Sequence, residues 1–200
     1  MTGMKQILLM IAVVALVGCG ESAEEKAAKA KAEAAAEAKA GAWVSDPNDP
    51  NNVKIEKAIR YELYSHTGEL TKADLEKVTQ LTFPESKLTD VKDLEKLTQL
   101  TKLFFIANQL TNVKVLENLT QLEELNLSDN QLTDVKGLEN LTQLKDLDLS
   151  KNQLTSVKGL EKFTQLKCLW LTGNPDLTKA QIAELRKALP KCFIHSNPKK

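Results

Sequence analysis

Residues 132–153 read LTDVKGLENLTQLKDLDLSKNQ. Residues 110–131 read LTNVKVLENLTQLEELNLSDNQ, and residues 154–175 read LTSVKGLEKFTQLKCLWLTGNP. Leucines 88, 110, 132 and 154 are 22 residues apart, and so are asparagines 108, 130, 152 and 174. Self-similarity at a fixed period outranks any local motif, because it means one small unit is stacked many times. Within each unit the string L-x-x-L-x-L-x-x-N-x-L recurs. It runs Leu100-Leu103-Phe105-Asn108-Leu110, then Leu122-Leu125-Leu127-Asn130-Leu132, Leu144-Leu147-Leu149-Asn152-Leu154 and, with one extra residue before the final leucine, Leu166-Leu169-Leu171-Asn174-Leu177.

Each letter has a physical task. In L-x-L the two leucines lie on one face of a short strand, because strand side chains alternate. The asparagines follow the strand where the chain turns, and their amides can bond backbone groups of neighbouring turns as a ladder. In the back half, Val113, Leu116 and Leu119 recur every three residues. That spacing suits a short 3₁₀-like segment pointing inward on the convex side. Val135, Leu138 and Leu141 repeat it, and Phe163 replaces leucine in the last copy. One unit cannot bury its own apolar face, so stacking is obligatory. The string is that of the leucine-rich repeat. With its 22-residue period and the LTDVKGLENLTQL half it resembles the internalin-type bacterial subclass. The expected fold is an α/β repeat solenoid with short parallel concave strands, 3₁₀-like convex segments and helical caps at both ends.

Exposed solenoid ends need caps, and the flanking sequence departs from the repeat accordingly. NVKIEKAIRYEL places Ile55, Ile59 and Leu63 at helical spacing, and Thr71 with Asp74 approaches a capping box. The first repeat, Val78 to Leu88, has Ser86 where asparagine is expected. After the repeats, Thr178 opens a helix with Ile182, Leu185 and Leu189 on one face, ended at Pro190. LPKCFIHSN, 189–197, again fits L-x-x-L-x-L-x-x-N, with Cys192 and Ile194 in the leucine slots, and predicts a closing strand.

The N-terminus is of another kind. MTGMKQILLMIAVVALVGCG has Lys5, then an apolar run from Ile7 to Val17. That is too short to span a bilayer, which takes ~20 residues, but suits a signal-peptide core. Leu16-Val17-Gly18-Cys19 resembles the bacterial lipobox, which implies cleavage before Cys19 and lipid on its thiol. A plain secretory signal with an incidental cysteine is the alternative. Gly20 in place of aspartate favours the outer membrane if the host is Gram-negative. Residues 21–42 are alanine, lysine and glutamate with no apolar stripe, a tether or solubilising stalk. Ser45 to Asn52, SDPNDPNN, reads as a turn-rich boundary lacking the glycine and closing glutamate of a calcium loop. The divisions are thus 1–18 signal peptide, 19–52 tether and boundary, 53–77 N-cap, 78–177 repeats, and 178–200 closing helix and strand.

The x residues beside the inward leucines form the concave face. The first column is Gln80, Lys102, Glu124, Asp146, Cys168 and Lys191; the middle is Thr82, Phe104, Asn126, Asp148, Trp170 and Phe193. The third is Pro84, Ile106, Ser128, Ser150, Thr172 and His195. These letters change from copy to copy while the core letters barely vary. A customised surface produces that pattern, and so does drift of exposed positions. Phe104, Ile106, Trp170 and Phe193 are large apolar residues there, with Trp170 and Phe193 expected side by side and Glu124, Asp146 and Asp148 between the apolar ends. Exposed aromatics flanked by charge mark an interface; the competing reading has the C-terminal cap or the stalk covering Trp170 and Phe193. The candidate contact residues are Lys102, Phe104, Ile106, Glu124, Asn126, Asp146, Asp148, Trp170, Phe193 and His195.

Other function classes fare poorly. Lysine plus arginine and aspartate plus glutamate each number 27, so bulk charge gives no pull toward nucleic acid. Of two histidines, His195 is read four register positions from Cys168, ~13 Å along a strand, too far for a nucleophile–base hydrogen bond. Lys191 beside Cys168 would favour a reactive thiol. Cys168 and Cys192 occupy opposite faces, which disfavours a disulfide. No cofactor or metal is expected. The sequence reads as a non-catalytic, monomeric lipoprotein of the bacterial cell envelope, held to the membrane by its N-terminal lipid and binding a protein ligand on the concave sheet. An envelope-structural spacer and a thiol role through Cys168 are the alternatives.

Overall fold

The computed structural model describes residues 26–33 and 42–198. The expected signal peptide and Cys19 lie outside the described residues. Residues 26–33 are helical and exposed, as an alanine-rich segment without an apolar stripe should be.

From residue 42 on, the chain is a stacked series of turns around one mainly aliphatic core. Six short strands, β1 (Gln80–Thr82), β2 (Lys102–Phe104), β3 (Glu124–Asn126), β4 (Asp146–Asp148), β5 (Cys168–Trp170) and β6 (Phe193–His195), pair in parallel in that order. Each repeat therefore contributes one strand, in register with the next at the 22-residue period through β5. Both L-x-L positions are buried in every complete repeat, as are the back-half valines and leucines. Each buried leucine contributes about 2 kcal/mol of apolar transfer. Phe83 and Phe105 take the second leucine slot in the first two turns and stack at 5.2 Å.

The chain leaves each of β1 to β5 through a left-handed residue: Glu85, Ala107, Asp129, Lys151 and finally Gly173 have φ between 46° and 78°. That conformation costs a non-glycine residue roughly 1 kcal/mol. In the later turns the asparagine that follows holds the corner. Asn130 accepts from the Leu110 N–H at 3.0 Å and donates to the carbonyls of Phe105, Leu127 and Ser128. Asn108, Asn152 and Asn174 repeat the pattern from Leu88, Leu132 and Leu154. The expected ladder is present, buried throughout.

The convex side departs from expectation. Lys92–Lys96 and Lys114–Asn118 are 3₁₀ turns, but residues 136–140 are not, and the next turn is only Leu160–Lys162. The cause is one position. Asp93 and Val115 keep the 3₁₀ path, whereas Gly137 and Gly159 stand there at φ 92° and 103°. Glu139 and Glu161 accept from their N–H groups at 2.6 Å.

The N-cap begins earlier than the sequence reading placed it. Helix α1 spans Pro50–Glu62, so SDPNDPNN is part cap and part helix, not only a boundary. Asp49 accepts from the N–H groups of Asn51 and Asn52, and Pro50 takes the first turn, where no N–H is needed. Asn52 is buried, donating to the Val44 carbonyl and to Asp93. Ile55 and Ile59 enter the core. The short helix α2 (Lys72–Leu75) and the C-terminal α3 (Lys179–Ala188) both carry complete capping boxes, Thr71 with Asp74 and Thr178 with Gln181.

The closing strand is shifted. Cys168 pairs with Phe193, Leu169 with Ile194 and Trp170 with His195, a 25-residue offset in place of the expected 23. Leu189 is consumed as the C-cap of α3, and Cys192 lies in the bend that returns the chain to the sheet. A slip of two residues preserves which side chains face the core, so Ile194 remains buried. Asn197 does not join the ladder; it accepts from the Gly173 N–H at 2.8 Å.

Candidate functional site

All-parallel sheets are ordinarily covered on both faces. Here the inner face packs on the leucine core, and within residues 42–198 no helix crosses the other. The side chains beside the inward leucines form that open concave face, and the register fixes their order.

Lys102, Glu124, Asp146, Cys168 and then Phe193 make the first column; Phe104, Asn126, Asp148, Trp170 and then His195 make the second. The last members differ from the sequence reading. Trp170 is beside His195, not Phe193, and Phe193, not Lys191, follows Cys168, because the final strand is two residues out of step. The aromatic cluster survives the change. The Trp170 and His195 rings stack at 5.5 Å and 5°, and Phe193 meets His195 edge-on at 4.5 Å. Phe193 is 64% exposed, Ile106 is 39% exposed, and Phe104 and Trp170 are half-buried. Within residues 42–198 neither the C-terminal helix nor any other segment covers them.

Between Phe104 and Trp170 lies a shallow groove of about 350 Å³, floored by Glu124, Asn126, Asp146 and Asp148. Its polar groups are ordered by one another. Lys102 Nζ sits 2.6 Å from Glu124 Oε1, and the carboxylate raises the lysine's pKa. Asn126 Oδ1 accepts from the Ser128 N–H and hydroxyl at 2.9 and 2.6 Å. Asp148 Oδ1 accepts in the same way from the N–H of Ser150, at 2.9 Å, and from its hydroxyl. Asp148 Oδ2 has a single long contact, 3.4 Å from Asn126 Nδ2.

Cys168 sits at the groove's edge. Partial burial pushes its thiol pKa up, and the Asp146 carboxylate beside it pushes the same way; Lys167 opposes weakly. Lys191 has no part in this, so the activation expected of it is absent. Cys192 is driven to about 11, chiefly by burial. Both cysteines are free thiols. His195 lies two register positions from Cys168, nearer than the four expected, and is engaged by Trp170 and Phe193. The groove thus presents fixed carboxylates and amides between two aromatic walls. Among the described residues no three metal-ligating side chains converge, and no helix is long and apolar enough to cross a membrane.

The structure brings together nine of the ten sequence-predicted contact residues on or beside two adjoining columns, with Ile106 one step further along β2's exit. What the sequence missed is the second role of Ser128 and Ser150. Each lies two residues after Asn126 or Asp148 and fixes that side chain; the [ND]-x-S spacing carried the signal.

Comparison with known proteins agrees with this geometry. Residues 98–140, 120–156 and 142–187 match the model of the leucine rich repeat family. No curated protein sequence matches the chain. Among solved structures, an internalin, InlF, from Listeria monocytogenes is 26% identical with a TM-score of 0.66, over 73% of this chain and 44% of the internalin. This chain thus spans less than half the length of that protein. A leucine-rich-repeat protein of Leptospira interrogans is 29% identical with a TM-score of 0.56, over 66% of this chain and 35% of that one. Internalin C2 of Listeria monocytogenes, 24% identical with a TM-score of 0.56 over 75% and 78% of the two chains, shares the fold. The repeats, their sheet and these likenesses agree: the chain folds as a leucine-rich-repeat solenoid, similar to that of the internalin InlF.

Proposed function

We propose that this protein is a non-catalytic binding lipoprotein of the bacterial cell envelope that holds a protein ligand on its concave sheet. Leucine-rich-repeat proteins typically mediate protein–protein contact. The observation that carries the reading here is the open parallel sheet, on which exposed Phe193 and half-buried Phe104 and Trp170 stand around ordered polar groups. Aromatics at the centre of a desolvated patch are the usual source of binding energy. The lipobox resemblance at Leu16–Cys19 supports the membrane tether, with the outer membrane favoured in a Gram-negative host. The raised pKa of Cys168 argues against the thiol alternative.

The test places a photo-crosslinking amino acid in the full chain at Asn126, on the concave face, or at Lys158, on the convex face, in the native host. A discrete protein adduct from Asn126 and none from Lys158 is expected, and Trp170→Ala should abolish it. No adduct at either position is the result a spacer gives. Mass spectrometry of the mature N-terminus should find acylated Cys19; an unmodified N-terminus removes the lipoprotein half of the proposal.

A further inference from the structure

The partner's chemistry is written in the groove's charge. Three carboxylates, Glu124, Asp146 and Asp148, line it. Lys102 is bound to Glu124. Among the described residues neither Asp146 nor Asp148 forms an ion pair: Asp146 meets the Cys168 thiol, and Asp148 meets only neutral donors. Of the lysines near them, Lys102 and Lys145 are each closest to another carboxylate, Glu124 and Glu123, both at 2.6 Å. Two carboxylates are left facing an open groove with no cation of their own.

The groove's shape selects among cations. His195 occupies one face of the Trp170 ring, and β4 with Asp148 lies on the ring's other side. Asp148 is held in a single orientation through Oδ1, which leaves Oδ2 with only the long contact to Asn126 Nδ2, 3.4 Å. A planar guanidinium can stack on an indole and bond a carboxylate edge at once, whereas an ammonium can do only part of this. From Phe104 to Trp170 the groove crosses three inter-strand steps, roughly 14 Å, the reach of about four extended residues.

We infer that the groove between Phe104 and Trp170 takes an arginine-bearing segment of a protein partner, its guanidinium seated between the open face of Trp170 and the carboxylate of Asp148. This rests on the reading of the concave sheet as a protein-binding face.

Fluorescence anisotropy with the full-length protein tests it. The probes are short labelled Gly/Ser peptides carrying arginine, lysine or glutamate at alternate positions. The arginine probe should bind best, the lysine probe more weakly and the glutamate probe not at all, and added salt should weaken the first two. Asp148→Asn keeps the side chain's shape and should weaken the arginine probe roughly tenfold, the loss expected for a charge-assisted hydrogen bond. Trp170→Ala should remove the preference for arginine over lysine. Glu184→Gln removes the same charge from α3 and should change nothing. Thermal melts confirm that each variant is folded. Equal losses from Asp148→Asn and Glu184→Gln, binding of the glutamate probe, or no binding of the arginine probe overturns the inference. If the arginine probe fails while the Asn126 adduct persists, the protein-binding reading stands and this inference alone falls. If the adduct is missing too, both fall.

Discussion

The asparagine ladder and the concave columns are built by the same repeats, at adjoining positions of each turn, under opposite constraints. Asn108, Asn130, Asn152 and Asn174 are buried, and each satisfies backbone groups of its own turn and of the one before. Any other side chain there leaves several polar groups dry. The columns beside them face solvent, where Lys102, Glu124, Asp146 and Cys168 occupy one and the same site in successive turns. A stacked fold thus separates the residues that must repeat from those free to differ. Variation at a position reports that it is free of the stack, and what occupies it then decides whether it binds.

The sharpest way to break this comparison is to put the freedom of one class into the other. Asn130→Ala leaves the Leu110 N–H and the Phe105 carbonyl buried without a partner. The cost is roughly 3 kcal/mol, or about 10 °C in Tm for a chain of this size. Asn126→Ala, four residues earlier on the open face, should cost little by comparison. Paired thermal melts decide between them; equal losses would mean that the concave column is structural after all.

Identical letters need not carry identical loads. Gly137 and Gly159 both have positive φ, yet a Cβ at Gly137 would come 2.3 Å from Lys114 Cα, whereas one at Gly159 meets nothing closer than 3.9 Å. Gly137→Ala must push the backbone of the preceding turn aside and should cost about 3 kcal/mol. Gly159→Ala carries only the left-handed strain, about 1 kcal/mol. Denaturant titration of the two variants reads this difference directly.

These cases mark what the sequence could and could not convey. Strand positions, core leucines and the asparagine ladder were legible because each rests on a period that many residues share. The convex path at Gly137 was not, since periodicity describes the average turn and one glycine redirects a single turn. The register of β6 was missed because LPKCFIHSN fits the repeat string, while the actual register is set by where α3 ends and by how much chain its exit consumes. The concave face was legible as a face because a two-residue slip keeps parity. It was not legible as a set of contacts: that Trp170 meets His195 depends on the slip itself.

The two capping boxes offer a milder contrast. At α3 the box closes with Gln181, which does not titrate; at α2 it closes with Asp74. Bonds from the Thr71 hydroxyl, from Lys77 and from the Thr71 N–H lower the Asp74 pKa from 3.8 to about 2. A folded pKa below the unfolded one gives stability that is complete above the unfolded value and disappears as pH falls toward the folded one. The N-terminal cap should therefore weaken between about pH 4 and pH 2. In Asp74→Asn that part of the acid dependence should be missing, as hydrogen exchange around Leu75 followed across the window would show.

The smallest expected effect on the fold is also the most informative about the surface. Lys102 and Glu124 form a close pair, but both side chains are more than a third exposed, 43% and 36%. Exposed pairs of this kind contribute little to stability, so Lys102→Gln should leave the melting curve unchanged. Its effect on the groove runs the other way. Removing the lysine frees Glu124 and adds a third unpaired carboxylate beside Asp146 and Asp148. If the concave face is tuned for cations, the arginine probe should bind Lys102→Gln more tightly, by roughly threefold at low salt, with the gain fading as salt rises. A loss of binding would mean that Lys102 itself meets the partner, and that the groove reads a carboxylate at that end.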